Sequence, residues 1–264
     1  MSRPTGRLAR RARSDSSTAP VIKPTKIAIG IGAAMLPCAV LAVASTGAVR
    51  VLAAWTAIAC ATTCAAYLRN RPQWLGKRDG AVSARAFVVL PYLIAFGIAC
   101  RLMRWWRGAD QPTRVAPGIW VGGRVTAPAL PPGVTIVVDL VAEYAADRRI
   151  RTLPGYRGLP VLDGGVPPDA DAFLALVREV AVTGSGDVLV HCDSGRGRAP
   201  TFAAALLVVR GLAPDVASAL AVLRAERAVV APTRCDLEFL DGVAARLRPS
   251  RDRAPAVDLS PWLG

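Results

Sequence analysis

A cysteine and an arginine that bracket a glycine-bearing loop are the residues whose types and spacing best support chemistry in this chain. A short apolar strand pattern at 188–190 precedes Cys192, and a helix pattern follows Arg198. Backbone N–H groups of such a loop and of the helix N-terminus converge on one point and bind an anion. The predicted phosphate-binding residues are Asp193, Ser194, Gly195, Arg196, Gly197 and Arg198.

Within this loop Cys192 is the candidate nucleophile. The guanidinium of Arg198 can bind two oxygens of a phosphate in a bidentate manner. The positive charge around the loop is expected to favour the reactive thiolate form of Cys192. His191 is the only histidine of the chain, and we expect it to support the loop from beneath rather than to transfer protons. The chemistry needs no metal or other cofactor, and the six cysteines lack the paired spacing of a zinc site.

Together, the strand, His191, the Cys-x5-Arg loop with its glycines and the following helix resemble the signature of cysteine-dependent protein tyrosine phosphatases. The short domain is similar to the dual-specificity branch, and the resemblance covers roughly residues 117–248. It implies an α/β fold with a central, mostly parallel sheet flanked by helices. It also implies hydrolysis of phosphate monoesters through a phosphocysteine intermediate. Residues 76–80 with Pro91 and Tyr92 resemble, more weakly, the membrane-proximal part of bacterial membrane-attached members.

The same resemblance assigns a general acid. The family carries an aspartate on a neighbouring loop, about 30 residues before the cysteine, and Asp163 stands 29 positions before Cys192. A carboxyl there would protonate the leaving oxygen and then act as a base on the attacking water. Asp169 and Asp171 are weaker candidates, because they fit the first turn of a helix better.

One position departs from the family pattern. Most members carry Ser or Thr directly after the arginine, where its hydroxyl helps the thiolate leave, whereas this chain has Ala199. Asp193 also lowers the positive potential of the loop, although Arg196 could offset it. These two features keep open a different class of function, a catalytically silent phosphate-binding module. An arsenate reductase is a weaker alternative, since only Cys235 could serve as a further redox cysteine.

Charge and hydropathy divide the chain into two halves. Its 264 residues have a mean hydropathy of +0.36 and a net charge of +14. Residues 1–115 hold 17 Lys and Arg against 3 Asp and Glu, whereas 116–264 carry 16 of each. The excess positive charge therefore accompanies the apolar half, which predicts an anionic membrane as its partner and argues against nucleic acid.

Apolar runs predict the organisation of the first half. We expect a disordered basic tail over 1–26 and a membrane region over 27–115. Two helices, at about 27–49 and 51–68, would form a hairpin, and a third at 86–103 would either span or lie in the interface. Basic residues on both sides of the hairpin predict a multi-pass protein of the cell (inner) membrane with a cytoplasmic catalytic domain.

The predicted phosphatase-like domain occupies 116–248, and 249–264 form a C-terminal tail. Strands are expected at 119–121, 134–138, 156–162 and 188–190. Helices are expected from about 169 to 182 and at 200–210, 214–226 and 235–247. The substrate prediction favours phosphotyrosine, phosphoserine or phosphothreonine proteins. A phospholipid such as a phosphoinositide or phosphatidylglycerophosphate is the alternative.

Overall fold

The computed structural model describes residues 25–107, 111–183 and 186–247. The tails predicted at 1–26 and 249–264 lie outside these ranges, apart from the first two residues of helix α1.

The chain begins with a hairpin of two long apolar helices, α1 (Thr25–Ala44) and α2 (Gly47–Leu68). Gly47 has φ +60°, which suits the tight turn between them, and Arg50 donates to the carbonyl of Ser45 at 2.9 Å, near the end of α1. Large apolar side chains on the hairpin are half or more exposed: Ile29, Leu36, Val40, Leu41, Val43, Val49, Val51, Leu52 and Ile58. The hairpin therefore presents an apolar surface to its surroundings.

A compact connector leads from the hairpin to a third helix. It contains 3₁₀ turns at Pro72–Leu75 and Ala84–Val89 on either side of a small hairpin, β1 (Lys77–Arg78) and β2 (Ala81–Val82). The third helix, α3, covers Leu90–Arg107. Three segments, Lys26–Ala44, Gly47–Leu68 and Ala84–Trp106, are long and apolar enough to cross a membrane.

The remainder, residues 111–247, forms an α/β domain around a five-stranded sheet. Its strands are β3 (Thr113–Ala116), β4 (Ile119–Gly122), β5 (Val134–Val141), β6 (Tyr156–Val161) and β7 (Asp187–His191). The spatial order is β3-β4-β7-β5-β6, with β3 antiparallel to β4 and every other pair parallel. The prediction of a mostly parallel sheet is confirmed. Because β3 belongs to this sheet, the domain begins before residue 116, where the sequence placed its start.

Within residues 111–183 and 186–247, a 3₁₀ turn at Ala127–Ala129 and five α-helices complete the α/β domain: α4 (Arg148–Arg151), α5 (Ala170–Val182), α6 (Arg198–Val209), α7 (Val216–Glu226) and α8 (Arg234–Ala244). All twelve residues of α6 are buried, so this helix lies at the centre of the fold. Phe173 of α5 makes edge-to-face contacts with Phe202 of α6 and Phe239 of α8, at ring separations of 5.5 and 5.0 Å. The helix that follows the candidate loop is thus held firmly by core packing.

The apolar helices pack directly on the α/β domain. A buried cluster joins Tyr67 of α2 and Leu93 of α3 to Ala142 and Leu162, which follow β5 and β6. A buried ion pair adds to it: Lys77 Nζ lies 2.7 Å from Asp139 Oδ2, and each side chain is only 1% exposed. The apolar helices α2 and α3 and the connector are therefore packed against the loops at one edge of the sheet.

Candidate active site

Four parallel strands end at the same edge of the sheet, and their following loops meet there. The register pairs Gly122 of β4 with His191 of β7, and Val141 of β5 with Val161 of β6. In open α/β sheets ligands bind beyond the carboxyl ends of the strands. Cys192 follows β7 at this edge, and the loops after β4, β5 and β6 surround it.

The loop after β7 curls over the thiol. Cys192 is 2% exposed, and the Gly195 N–H donates to its Sγ at 3.2 Å. Gly195 has φ +67°, and a Cβ there would stand 2.5 Å from the carbonyl carbon of Gly122, so only glycine fits this close approach. At least one backbone donor is thus aimed at the sulfur, as an anion-binding loop requires.

Arg198 opens α6 and turns back toward the ends of β5 and β6. Its Nη1 donates to Glu143 Oε2 at 3.1 Å and to the Val161 carbonyl at 2.7 Å, and its Nη2 donates to Asp163 Oδ1 at 3.0 Å. The guanidinium is buried, which disfavours its charge, but Glu143 and Asp163 more than compensate and raise the pKa of Arg198 well above its ordinary value. Arg198 therefore remains a cation at this edge of the sheet.

The partners of Arg198 differ sharply in accessibility. The side chain of Glu143 is 0% exposed, whereas that of Asp163 is 47% exposed. Burial raises the pKa of Glu143, and the adjacent guanidinium opposes this shift. Nη1 is consequently fixed by buried groups, while Nη2 faces a carboxylate that an incoming anion could displace.

Glu143 also controls the loop that carries Asp163. Its Oε1 accepts a hydrogen bond from the Asp163 N–H at 2.7 Å, while Oε2 accepts from Arg198. One buried carboxylate thus connects the backbone of the candidate general acid to the candidate phosphate-binding arginine.

Polar groups are buried beneath the loop. His191 is 3% exposed, and its Nε2 lies 3.9 Å from Asp139 Oδ1. Asp139 in turn accepts from the hydroxyl of Tyr156 at 2.8 Å and from Lys77. Burial lowers the pKa of His191, with Asp139 opposing the shift, which favours the neutral imidazole. His191 is thus buried directly before Cys192, and its role in supporting the loop stays a prediction.

A cavity of about 420 Å³ opens above the loop. Asp193, Ser194 and Arg196 line its floor, and Asp163 lines one side. The opposite wall comes from α3, through Phe96, Ala99, Cys100, Met103 and Arg104. The volume is typical of a small-molecule site, so the catalytic-type residues have a binding space next to them.

Comparison with known families agrees with this geometry. Residues 130–237 match the family model described as PTP-SAK, the Swiss Army Knife protein DSP-PTPase phosphatase domain. This part of the chain is therefore similar to a DSP-PTPase phosphatase domain. The α/β domain that contains it is called the phosphatase domain below. A comparison with curated proteins finds no significant match.

Solved structures of the same fold class resemble the phosphatase domain. Human DUSP28 is 25% identical, with 52% of this chain and 94% of that chain covered and a TM-score of 0.43. A mouse putative dual specificity phosphatase complexed with zinc tungstate is 23% identical, with 53% and 93% covered and a TM-score of 0.41. PTPMT1 in complex with PI(5)P is 20% identical, with 52% and 97% covered and a TM-score of 0.42.

The phosphatase domain brings three predicted residues together: Cys192, Arg198 and Asp163 surround one edge of the sheet. The two weaker acid candidates lie at the start of α5. Asp169 caps this helix, accepting from the N–H groups of Asp171 and Ala172, and Asp171 pairs with Arg246.

A counter-charge for Asp193 also comes from outside the loop. The sequence suggested that Arg196 could offset this carboxylate, and the structure adds Arg104 of α3, whose Nη1 lies 3.2 Å from Asp193 Oδ1. Helix α3 therefore contributes positive charge next to the acidic residue of the candidate phosphate-binding loop.

Other residues were not predicted from the sequence. Glu143 could have been suspected, because it follows a buried parallel strand at the edge that also carries Cys192. Arg227 is buried and donates to the Gly195 carbonyl at 3.4 Å and to the Gln111 carbonyl at 2.8 Å. It supports the phosphate-binding loop from a region that bears no motif.

Proposed function

We propose that this protein is a membrane-anchored phosphatase that hydrolyses phosphate monoesters through a phosphocysteine intermediate. The observation that carries the proposal is the placement of the Cys192 thiol under the Gly195 N–H, beside a buried Arg198 whose Nη2 pairs with the half-exposed carboxylate of Asp163. A phosphate dianion carries more negative charge than the Asp163 carboxylate and would compete with it for Nη2 of Arg198.

The reaction proceeds in two steps. The Cys192 thiolate attacks phosphorus, the S–P bond forms, and the P–O bond to the leaving group breaks. Asp163, which takes up a proton from solvent after it leaves Arg198, gives this proton to the leaving oxygen. Water then attacks phosphorus, Asp163 takes its proton, and the S–P bond breaks to release inorganic phosphate and regenerate the thiolate. Arg198 and the loop amides hold the non-bridging oxygens through both steps.

This role for Asp163 requires it to leave Arg198 first. In the structure its carboxylate is paired with Nη2, and its half-exposed position lets it rotate away when phosphate takes that place. The backbone bond from the Asp163 N–H to Glu143 would keep the loop attached during this exchange.

Membrane anchoring is assigned to the α1–α2 hairpin, whose exposed apolar side chains match a lipid environment. Basic residues flank both of its ends in the sequence, which favours a cytoplasmic location for the phosphatase domain in the cell membrane. Helix α3 stays outside the bilayer core. From Leu93 to Arg104 it contacts the phosphatase domain, and a polar domain cannot accompany it through lipid.

The test uses the full-length protein in detergent with a small aryl phosphate and a chelator present throughout. Cys192→Ser should abolish turnover, and Cys235→Ser, which alters a half-buried cysteine of α8, should retain it. Acid quenching of the wild-type reaction should trap a phosphocysteine. Phosphate binding without turnover in the wild type would instead identify the silent phosphate-binding module. The same chemistry serves phosphorylated proteins and those phospholipids, such as phosphoinositides and phosphatidylglycerophosphate, that carry a phosphate monoester.

A further inference from the structure

The cavity above the phosphate-binding loop has two chemically different walls. One wall belongs to the phosphatase domain and contains Asp163, Arg124 and the loop residues. The other is built by α3, with Phe96, Ala99 and Met103 presenting apolar surface toward the same space. A ligand that fills this cavity must combine an anionic group with a substantial apolar body.

Helix α3 is held against the phosphatase domain along most of its length. Phe96 stacks on Tyr144 at a ring separation of 5.7 Å, and two turns later Arg104 pairs with Asp193. These contacts fix the apolar wall relative to the phosphate-binding loop. The wall is thus a permanent part of the site.

The opposite face of α3 is exposed and apolar. Ile94, Ile98 and Leu102, spaced four residues apart, are 54%, 52% and 59% exposed and form a stripe along the helix. Trp105, near its end, is 84% exposed, as expected for an aromatic residue at headgroup level. The apolar hairpin α1–α2 precedes this helix and shows a similar exposed surface, so the occupant that fits the stripe is the membrane interface.

Met103 connects the two apolar surfaces. It lines the cavity, yet it is 46% exposed and adjacent in the chain to Leu102 of the lipid-facing stripe. Met103 therefore offers an acyl chain an apolar contact between the exposed stripe of α3 and the cavity.

From this arrangement we infer that the substrate is a membrane lipid carrying a phosphate monoester. Its phosphate occupies the Cys192–Arg198 loop, and its apolar chain lies against Phe96 and Met103 on the way to the bilayer. The inference rests on the proposed function and deepens it by naming the substrate class. A phosphoprotein is less suited, because its chain would have to enter between α3 and the membrane surface.

The test compares each lipid with its own water-soluble headgroup. The full-length protein is reconstituted in phosphatidylcholine vesicles that contain phosphatidic acid, phosphatidylinositol phosphate or phosphatidylglycerophosphate. Glycerol 3-phosphate, glycerophosphoinositol phosphate and glycerophosphoglycerol phosphate are the chain-free counterparts, and phosphotyrosine and phosphoserine peptides are assayed in parallel. At least one lipid should exceed its counterpart in kcat/KM by about tenfold or more, since burying two methylene groups already provides that factor.

A substitution in the α3 wall of the cavity distinguishes an effect on lipid specificity from an effect on the catalytic step. Met103→Gln should lower kcat/KM for the preferred lipid several times more than kcat/KM for a small aryl phosphate. Val182→Gln changes an equally exposed apolar side chain at the end of α5, outside the cavity, and should leave both rates unchanged.

The two proposals fail in different ways. If the aryl phosphate is hydrolysed but no lipid exceeds its headgroup, or if a phosphopeptide is the best substrate, the lipid inference is wrong and the phosphatase proposal stands. If neither the aryl phosphate nor any lipid, headgroup or phosphopeptide is hydrolysed, the proposed function itself fails.

Discussion

Glu143 and Arg198 form a buried ion pair, with 3.1 Å between Oε2 and Nη1, in which the carboxylate is fully enclosed. Because Glu143 also accepts from the Asp163 N–H, it sets the position of both the arginine and the acid loop. Glu143→Gln keeps the shape but removes the charge. Losing a charge-assisted hydrogen bond of about 1.5–3 kcal/mol should lower kcat/KM for an aryl phosphate about 10- to 100-fold.

A positioning role for Glu143 predicts more than lost stability. The inhibition constant of inorganic phosphate should rise together with the loss of kcat/KM, because Arg198 is no longer held in place. Glu179→Gln, which removes an exposed partner of Arg157, is the matched control and should change neither quantity. An unchanged phosphate affinity in a folded Glu143→Gln protein would contradict this role.

Local sequence signals were sufficient for the core of the site. The Cys192–Arg198 loop lies between a strand and a helix that are neighbours in the chain. The hydropathy patterns of these two elements and the spacing between them therefore predict the phosphate-binding loop. Glu143, Arg104 and Arg227 reach the site from distant segments, and no local pattern indicates which arginine of a basic chain meets which loop. The sheet was likewise predicted except for β3, a short antiparallel edge strand with little apolar patterning.

Asp163→Asn tests the general acid. The effect should depend on the leaving group, since a poor leaving group needs a proton more than a good one does. We expect an alkyl phosphate to lose about 10²- to 10⁴-fold in kcat and a nitrophenyl phosphate much less. Asp171→Asn, an acidic residue in the first turn of α5, is the control and should behave as wild type. Equal losses for both substrates would argue that Asp163 acts only through its pairing with Arg198.

Ala199→Ser tests the departure from the family pattern. Ala199 is fully buried directly after Arg198. The family resemblance implies a hydroxyl at this position, which would assist departure of the thiolate. If breakdown of the phosphocysteine limits turnover, the serine should raise the steady-state rate several-fold and reduce the accumulated intermediate in rapid-quench measurements. Ala199→Gly changes the same position without adding a hydroxyl and should not reproduce the gain. A faster first step with unchanged breakdown would contradict the expectation.

His191 predicts a pH dependence of stability. Burial lowers its pKa in the folded protein, with Asp139 opposing and Lys77 adding to the shift, so below about pH 6.5 the unfolded chain binds the proton more readily. Stability should therefore decrease as the pH falls from about 6.5 toward 5, and His191→Gln should remove most of this slope. Thermal melting of the full-length protein in detergent measures it. Since His191 is the only histidine, its imidazole resonance can be titrated directly, and a value at or above 6.5 would contradict the prediction.

The buried pair of Lys77 and Asp139 predicts that the connector and the phosphatase domain are energetically coupled. Lys77→Met leaves the Asp139 carboxylate buried without its lysine, which should destabilise the protein by about 3–5 kcal/mol. Arg78→Met alters the neighbouring exposed residue of β1 and should have little effect. Combining Lys77→Met with Asp139→Leu removes both charges and should recover part of the loss in a double-mutant cycle of melting measurements. Simple additivity of the two substitutions would show that the pair does not couple these parts of the chain.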